Sequence, residues 1–410
     1  MKKRLLVYSL YFYPDVASIG QILTELCEGL QDDFDITVIC AVPSYTGKIE
    51  EKYKGKRFYF EKYQKINIIR VSVPEFVKSN KFSRIKNILT YFINAVIATF
   101  KTGPQDIILT VSDPPILGGL LGVIGKKLKK CRLVYNIQDF SPEVIEAVGY
   151  IKSKFIISLL RKIDNFTCKR SDTVIVVGRD MQQTLISRFK GKKVPNNIVI
   201  NNWADETKLY PLDKNHPKVL EFRKRYDLED KFVIMYSGNL GLYYDLENII
   251  KVFAEFKNRE DIVFVFIGDG AVKRNLVSYV EQNNIKNIKF IPYQPKEELN
   301  YSLNAADVHI VCNAKGIKGV SVPSKVYSAI AVRKPIIGIL EEGSEARLLI
   351  EELNCGKCTN PGDYNGIKAI IQEFILNKNE YSFCTKDIRL SKLDSINKYR
   401  EVLSRLLNDE

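Results

Sequence analysis

"KFVIMYSG", residues 231–238, is an apolar run of the length of one buried strand, closed by a serine and a glycine. "DIVFVFIGDG" (261–270), "IKFIPY" (288–293), "DVHIVCN" (307–313) and "PIIGIL" (335–340) repeat the design, with helical periodicity between them. A strand apolar on both faces that alternates with helices belongs in a parallel sheet covered on both sides. Upstream the same alternation runs through the strand-like segments 4–10, 34–40, 66–73, 106–112, 132–138, 172–177 and 197–201. The two series are separated by "NNWADETKLYPLD" (201–213), and the junction falls near Trp203 to Pro211. The fold class is therefore α/β, with two Rossmann-like doubly wound parallel-sheet domains, 1–205 and 206–389. A last helical pattern, about 390–410, follows "CTKD" with no strand after it and is expected to cross back onto the first domain.

With 410 residues, 45% hydrophobic and 27% charged, the chain exceeds one compact core. A chain of this size does not need disulfides, so its eight cysteines fit a reducing cytosol. The close pair in "CGKC" (Cys355, Cys358) has no second pair and only His216 and His309 to join it, and reads as two incidental thiols around a turn glycine. Asp269 in "GDG" stands alone, so no metal is expected.

"MKKRLLVYSLYFYPD" is interrupted by Pro14 and Asp15 and reads as a first strand, not a signal peptide. The longest apolar stretch, "ILTYFINAVIATF" (88–100), falls short of the ~20 residues that span a bilayer. The net charge of +14 points to an anionic partner or surface. Two segments join basic residues to apolar sides: "RIKNILTYFINAVIATFK" (84–101) and "KSKFIISLLRKIDNFTCKR" (152–170). That combination favours a membrane interface over nucleic acid, although ordinary core-facing helices with solvated lysines have the same pattern.

Ligands of open parallel sheets bind beyond the carboxyl ends of the strands. In the second domain those ends carry "SGNLGLYYD", "GDGAVKR", "PYQPKEEL", "NAKGIKGVSVPSK" and "EEGSEARL", and glycines or backbone amides ahead of helices describe a phosphate pocket. Within "SVPSKVYSAIAVRKPIIG" (321–338), Pro323 suits a first helical position and Pro335 a stop, which leaves Lys325 in a first turn, where a cation is unfavourable. An anion held by the helix amides, the Ser324 hydroxyl and Lys325 reverses that penalty, and the preceding loop with Lys315, Gly316, Lys318, Gly319 and Ser321 supports such a site over a lysine snorkelling to solvent. No Walker lysine motif and no complete GxGxxG occurs. In the first domain the corresponding turns are "YFYPDVASIGQ", "VSDPPILGG" and "NIQDFSPEVIEA". Glu143 fits first-turn helix chemistry after the Ser141 cap and Pro142, whereas Asp139 has no local role and is the candidate catalytic or acceptor-binding group.

The ordered set "YFYPDVASIGQILTELCEGL", "NIQDFSPE", "NNWADE", "YSGNLGLYYDLENII", "FVFIGDGAVKRNL" and "VPSKVYSAIAVRKPIIG" resembles glycosyltransferase family 4, retaining enzymes of the GT-B fold. The likeness is to the bacterial polysaccharide branch that includes colanic-acid fucosyltransferases, and it covers nearly the whole chain. It implies two domains facing across a cleft, with the donor nucleotide in the second and the acceptor in the first. The donor-binding candidates are Gly238, Asn239, Gly268, Tyr293, Gly319, Ser321, Ser324, Lys325 and Glu342, and the resemblance implies that Gly238 and Asn239 lie near the donor phosphates, Lys325 near the diphosphate and the 291–295 backbone near the base. Ser18 and Gly20 belong to a loop facing phosphate and acceptor, and Asp139 and Lys325 are the catalytic candidates. The family's paired glutamates fall on Val320 and Ser328, its phosphate-loop arginine and lysine on Asn239 and Tyr244, and its histidine on Gln138, so all five are changed here.

The resemblance further implies a nucleoside-diphosphate sugar, UDP- or GDP-linked, as co-substrate, with no separate cofactor. The acceptor is a lipid-linked (polyprenyl diphosphate) saccharide at the inner face of the cytoplasmic membrane, in capsule, O-antigen or exopolysaccharide synthesis. The location expected is cytoplasmic and peripheral to the membrane, with no nucleic-acid partner. A sugar-nucleotide epimerase of the same fold and a non-catalytic polyanion- or membrane-binding protein are the alternatives.

Overall fold

The computed structural model describes the chain except residues 1, 16, 78–79, 148, 150, 378–389 and 409–410, so Cys384 and the rest of "CTKD" lie outside the described residues. The chain forms two compact units, one of residues 1–201 with 393–410 and one of residues 202–392.

The first unit holds eight strands: β1 (Lys3–Tyr8), β2 (Phe34–Ala41), β3 (Phe58–Tyr63), β4 (Ile66–Val71), β5 (Ile107–Val111), β6 (Arg132–Ile137), β7 (Thr173–Val176) and β8 (Asn197–Val199). They lie in the order β3-β4-β2-β1-β5-β6-β7-β8, all parallel except β3. Six further strands, β9 (Phe232–Ser237), β10 (Ile262–Ile267), β11 (Ile288–Ile291), β12 (Val308–Cys312), β13 (Ile336–Ile339) and β14 (Gly356–Thr359), form a wholly parallel sheet in the second unit, ordered β11-β10-β9-β12-β13-β14. Every strand read from the sequence is present. In β10 all six residues are buried, as a central strand with helices on both faces requires.

Two strands were missed in the sequence. β3 pairs antiparallel with β4 through a two-residue turn at Gln64 and Lys65, and Gln64 takes φ +53°. That conformation is normally signalled by Asn-Gly or Asp-Gly, and glutamine gives no such signal. β14 is a short edge strand that contains Gly356, so this glycine is not in a turn. A Cβ on Gly356 would come 2.0 Å from the Ile336 carbonyl oxygen of β13, and the strand needs glycine for that close approach. Cys355 and Cys358 beside it are free thiols, pushed up to about 12 by burial, which makes them unreactive apolar filler.

The last helix, Lys392–Asn408, lies on the first unit. Ile396 covers Gly29, whose missing side chain leaves room for it, and the Arg400 guanidinium donates to the Gly29 carbonyl at 2.9 Å and to Asp33 at 2.7 Å. Tyr399 is buried against Asn136 of β6. Among the described residues no helix is long and apolar enough to cross a membrane.

Candidate functional site

In the second sheet the strand order reverses between β9 and β12, and a doubly wound sheet opens its ligand crevice at that reversal. Four loops meet there. Gly238 leaves β9 with φ +137° and Gly268 leaves β10 with φ +141°, each donating its N–H to the neighbouring strand's last carbonyl, Ile267 at 2.8 Å and Ile291 at 3.0 Å. A Cβ on Gly268 would stand 2.1 Å from the Gly238 carbonyl oxygen, and one on Gly270 2.3 Å from that of Leu240. These glycines let two loop backbones lie against each other with no side chain between them. Tyr236 Oη donates to the Asn239 carbonyl at 2.7 Å, fixing the loop further, and Tyr293 stands exposed beside Gly268.

Lys325 comes from the β12 side of the crevice. The short helix Lys325–Ala331 begins at this residue, so Pro323 and Ser324 precede it, and Ser324 makes no side-chain cap; Ser328 Oγ donates to the Lys325 carbonyl at 3.0 Å. The lysine side chain turns inward instead of snorkelling outward. Its Cε would lie 2.7 Å from a Cβ on Gly238, and Nζ sits 4.0 Å from the ring centre of Tyr244 and 5.0 Å from that of Tyr236. No carboxylate pairs with it among the described residues. Burial pulls its pKa down to about 8, with the Cys312 thiol acting weakly the other way. An ammonium held by ring faces alone keeps its charge available for an anion in the crevice.

The remaining second-unit candidates divide. Gly319 (φ +71°) and Ser321 lie in the loop ahead of Lys325, which is tied down by Glu341: its carboxylate accepts the Gly316 and Lys318 amides at 2.9 and 3.0 Å. Lys318 Nζ donates to the Glu342 carbonyl at 2.6 Å, leaving the exposed Glu342 side chain at the rim. The departures at Val320 and Tyr244 acquire physical meaning: Val320 is buried, and Tyr244 is one wall of the lysine's cage.

In the first unit the strand order reverses between β1 and β5. Ser18 and Gly20 belong to the first turn of helix Ser18–Leu30, not to the loop before it, because Gly20 packs on Tyr11, where a Cβ would already be 3.1 Å from the Tyr11 backbone oxygen. Glu143 is structural: it accepts from Arg161 at 2.8 Å and from the buried Arg188. Asp139 lies just past β6 and is exposed, its amide donating to Ser112 Oγ at 3.3 Å, which also accepts the Gln138 amide at 3.0 Å.

Asp113, at the end of the adjacent β5, was overlooked in "VSDPP". Burial first, and the Asp139 charge second, push its carboxyl up to about 7, and its buried Oδ2 has no hydrogen-bond partner. The only available signal was the position of an acid just after a strand. Because the folded pKa exceeds the ordinary 3.8, the native state binds the extra proton and stability falls as pH rises between about 4 and 7. Asp113→Asn is therefore expected to melt higher than the parent at pH 8, by on the order of 2–4 kcal/mol at ~1.4 kcal/mol per pKa unit, with the gain gone at pH 4. Equal melting temperatures at pH 8 would contradict the assigned burial.

Residues 219–390 match the family model described as glycosyl transferases group 1. The chain is 28% identical over 305 residues to a probable glycosyltransferase, WbjE, of Pseudomonas aeruginosa, covering 73% of this chain and 74% of WbjE. It is 25% identical over 416 residues to the putative colanic acid biosynthesis glycosyl transferase WcaI of Escherichia coli K12, covering 99% of both. Among solved structures, HepE of Anabaena in complex with UDP and glucose superposes with a TM-score of 0.71 at 15% identity, covering 98% of this chain and 99% of HepE. With its two doubly wound sheets, and with a match to the group 1 model that spans the Lys325 crevice, the chain has the GT-B fold and is a glycosyltransferase.

Proposed function

We propose that the enzyme is a retaining, family 4 transferase that moves a sugar from a nucleoside-diphosphate donor, UDP- or GDP-linked, to a lipid-linked saccharide in cell-surface polysaccharide synthesis. The observation that carries this reading is the Lys325 ammonium, held by two tyrosine rings and set against Gly238 at the strand-order reversal. When the bond from sugar to diphosphate breaks, negative charge grows on the leaving phosphate. A fixed, poorly solvated cation stabilises that charge more than the ground state. On this reading the donor is a co-substrate, and the protein's own charge at Lys325, without a metal or other cofactor, neutralises the leaving diphosphate. Support for a nucleotide sugar comes from HepE, solved with UDP and glucose, and for the polysaccharide setting from the name of WcaI. Asp139, with Gln138 beside it, serves the acceptor in the first unit.

The test is a thermal-shift series with UDP, GDP and their sugars. A true donor nucleotide at a hundredfold excess over its dissociation constant adds ~2.7 kcal/mol of stability. One nucleotide is expected to raise the melting temperature and the other not; no shift with either would remove the donor assignment.

A further inference from the structure

An aspartate that closes a buried strand ordinarily caps the next helix by accepting an amide two or three residues on. In "VSDPPILGG" (111–119) that use is blocked. Pro114 and Pro115 carry no N–H, and the Leu117 and Gly118 amides donate to the Pro115 and Pro114 carbonyls at 2.6 and 2.8 Å. Asp113 Oδ2 is left buried without a hydrogen-bond partner, and the exposed Arg84 of helix Lys81–Lys101 acts on the carboxyl through space only. A carboxyl kept this way weakens the fold near neutral pH, and groups kept at such a cost mark sites of function. Its place agrees. Asp113 lies just past β5, which borders the strand-order reversal of the first sheet, where a doubly wound sheet receives its ligand. Ser112 Oγ accepts the Gln138 and Asp139 amides at 3.0 and 3.3 Å, pinning the turn after β6 to the turn after β5 and bringing the exposed Asp139 carboxyl within range of the Asp113 charge. Across the reversal, Tyr11 after β1 feels the same charge and packs edge-on against Tyr45 at 5.4 Å, and Tyr91 of helix Lys81–Lys101 is a further titratable group in its field.

We infer that Asp113 is the catalytic base that takes the proton of the acceptor hydroxyl, an inference that rests on the reading that the first unit receives the acceptor. As the acceptor oxygen bonds to the anomeric carbon, its O–H bond breaks and the proton passes to the Asp113 carboxylate. The bond from sugar to diphosphate breaks in the same step, and its electron pair goes to the leaving phosphate. A base works best when it is ionised near the working pH yet still holds a proton well. Burial first, and the Asp139 charge second, push Asp113 up to about 7, which meets both conditions. Gln138 is an amide that cannot take a proton, and its Nε2 donates to Asn136 Oδ1 at 2.9 Å, which leaves the two carboxyls for the task. Asp139, facing water, is free to bind the acceptor, and its negative charge strengthens Asp113 as a base.

Nucleotide release by the full chain from UDP-glucose, UDP-N-acetylglucosamine, GDP-mannose and GDP-fucose, with water as the acceptor, tests it between about pH 5 and 9. The parent's rate is expected to rise with pH through about 7 as Asp113 ionises. Asp113→Asn should lose that rise and run about 10²–10⁴-fold slower. It should melt no lower than the parent and keep the nucleotide-induced melting shift, which separates loss of the base from loss of fold or donor binding. Asp139→Asn should move the rise to lower pH, because a like charge has gone. Asp113→Ala, which leaves the space of the carboxyl open, should regain rate with added formate, whereas Asp113→Asn should not. A parent-like rate in Asp113→Asn overturns the inference, as does a slow Asp113→Asn that keeps the parent's pH profile, which would make the residue structural. No release by the parent from any of the four donors fails the donor reading, and the inference with it.

Discussion

Lys325→Met is expected to slow sugar transfer by about 10²–10³-fold while leaving the protein at least as stable as the parent. The first half follows from removing a cation aimed at developing phosphate charge, a loss of that order when one such donor is deleted. The second follows from its surroundings. The ammonium is drawn out of water with ring faces as its partners, so its charge is a burden on the fold; an unbranched apolar side chain fills the same space without that burden. The two halves have opposite pH dependences. The folded pKa lies near 8, below the ordinary 10.5, so between about 8 and 10.5 the unfolded chain holds the proton and the native chain does not. Stability relative to Lys325→Met therefore rises with pH through that window, while turnover falls as the clamp loses its charge above pH 8. Initial rates of nucleotide release and melting curves from pH 6.5 to 10 test both. Parent-like turnover in Lys325→Met would end the assigned role, and a large drop in its melting temperature would mean the lysine is structural.

Most of the architecture is legible in the sequence because its strands are buried on both faces. "VFVFI" in β10 can only be a central strand of a covered sheet, and such strands alternating with helices leave few topologies. The edges escape because an edge strand is held by one neighbour and need not be a buried apolar run: β3 is interrupted by Glu61 and Lys62 and has no fully buried residue, and β14 is four residues long. Lys325 was legible as a cation in an unfavourable place. Its tyrosine cage was not, since Tyr236 ends a strand and Tyr244 follows a loop, and only the backbone path through Gly238 brings both rings to one ammonium. Asp113 stayed hidden for a related reason: its pKa is raised first by burial, which only the packed fold supplies, and second by the charge of Asp139, on a different strand end.

The backbone path itself gives the second large effect. Gly268→Ala is expected to destabilise the protein by about 2–4 kcal/mol and to remove nucleotide binding, although it adds one methyl group. At φ +141° an L-residue is strained by roughly 1–3 kcal/mol, and here the new Cβ would also meet the Gly238 carbonyl oxygen at 2.1 Å. That oxygen cannot move independently, because the Gly238 amide is bonded to Ile267 and Leu240 is bonded to Asp269, so relief of the clash has to shift the loop that borders Lys325. For a unit the size of the second one the change corresponds to a fall in melting temperature of several degrees, at ~2–4 °C per kcal/mol. Gly103→Ala, where nothing lies within 4 Å of the added carbon, is the matched control and should melt with the parent. If Gly268→Ala retains both the parent's melting temperature and its nucleotide-induced shift, the two loops do not touch as described, and the crevice is wider than one bounded by bare backbone.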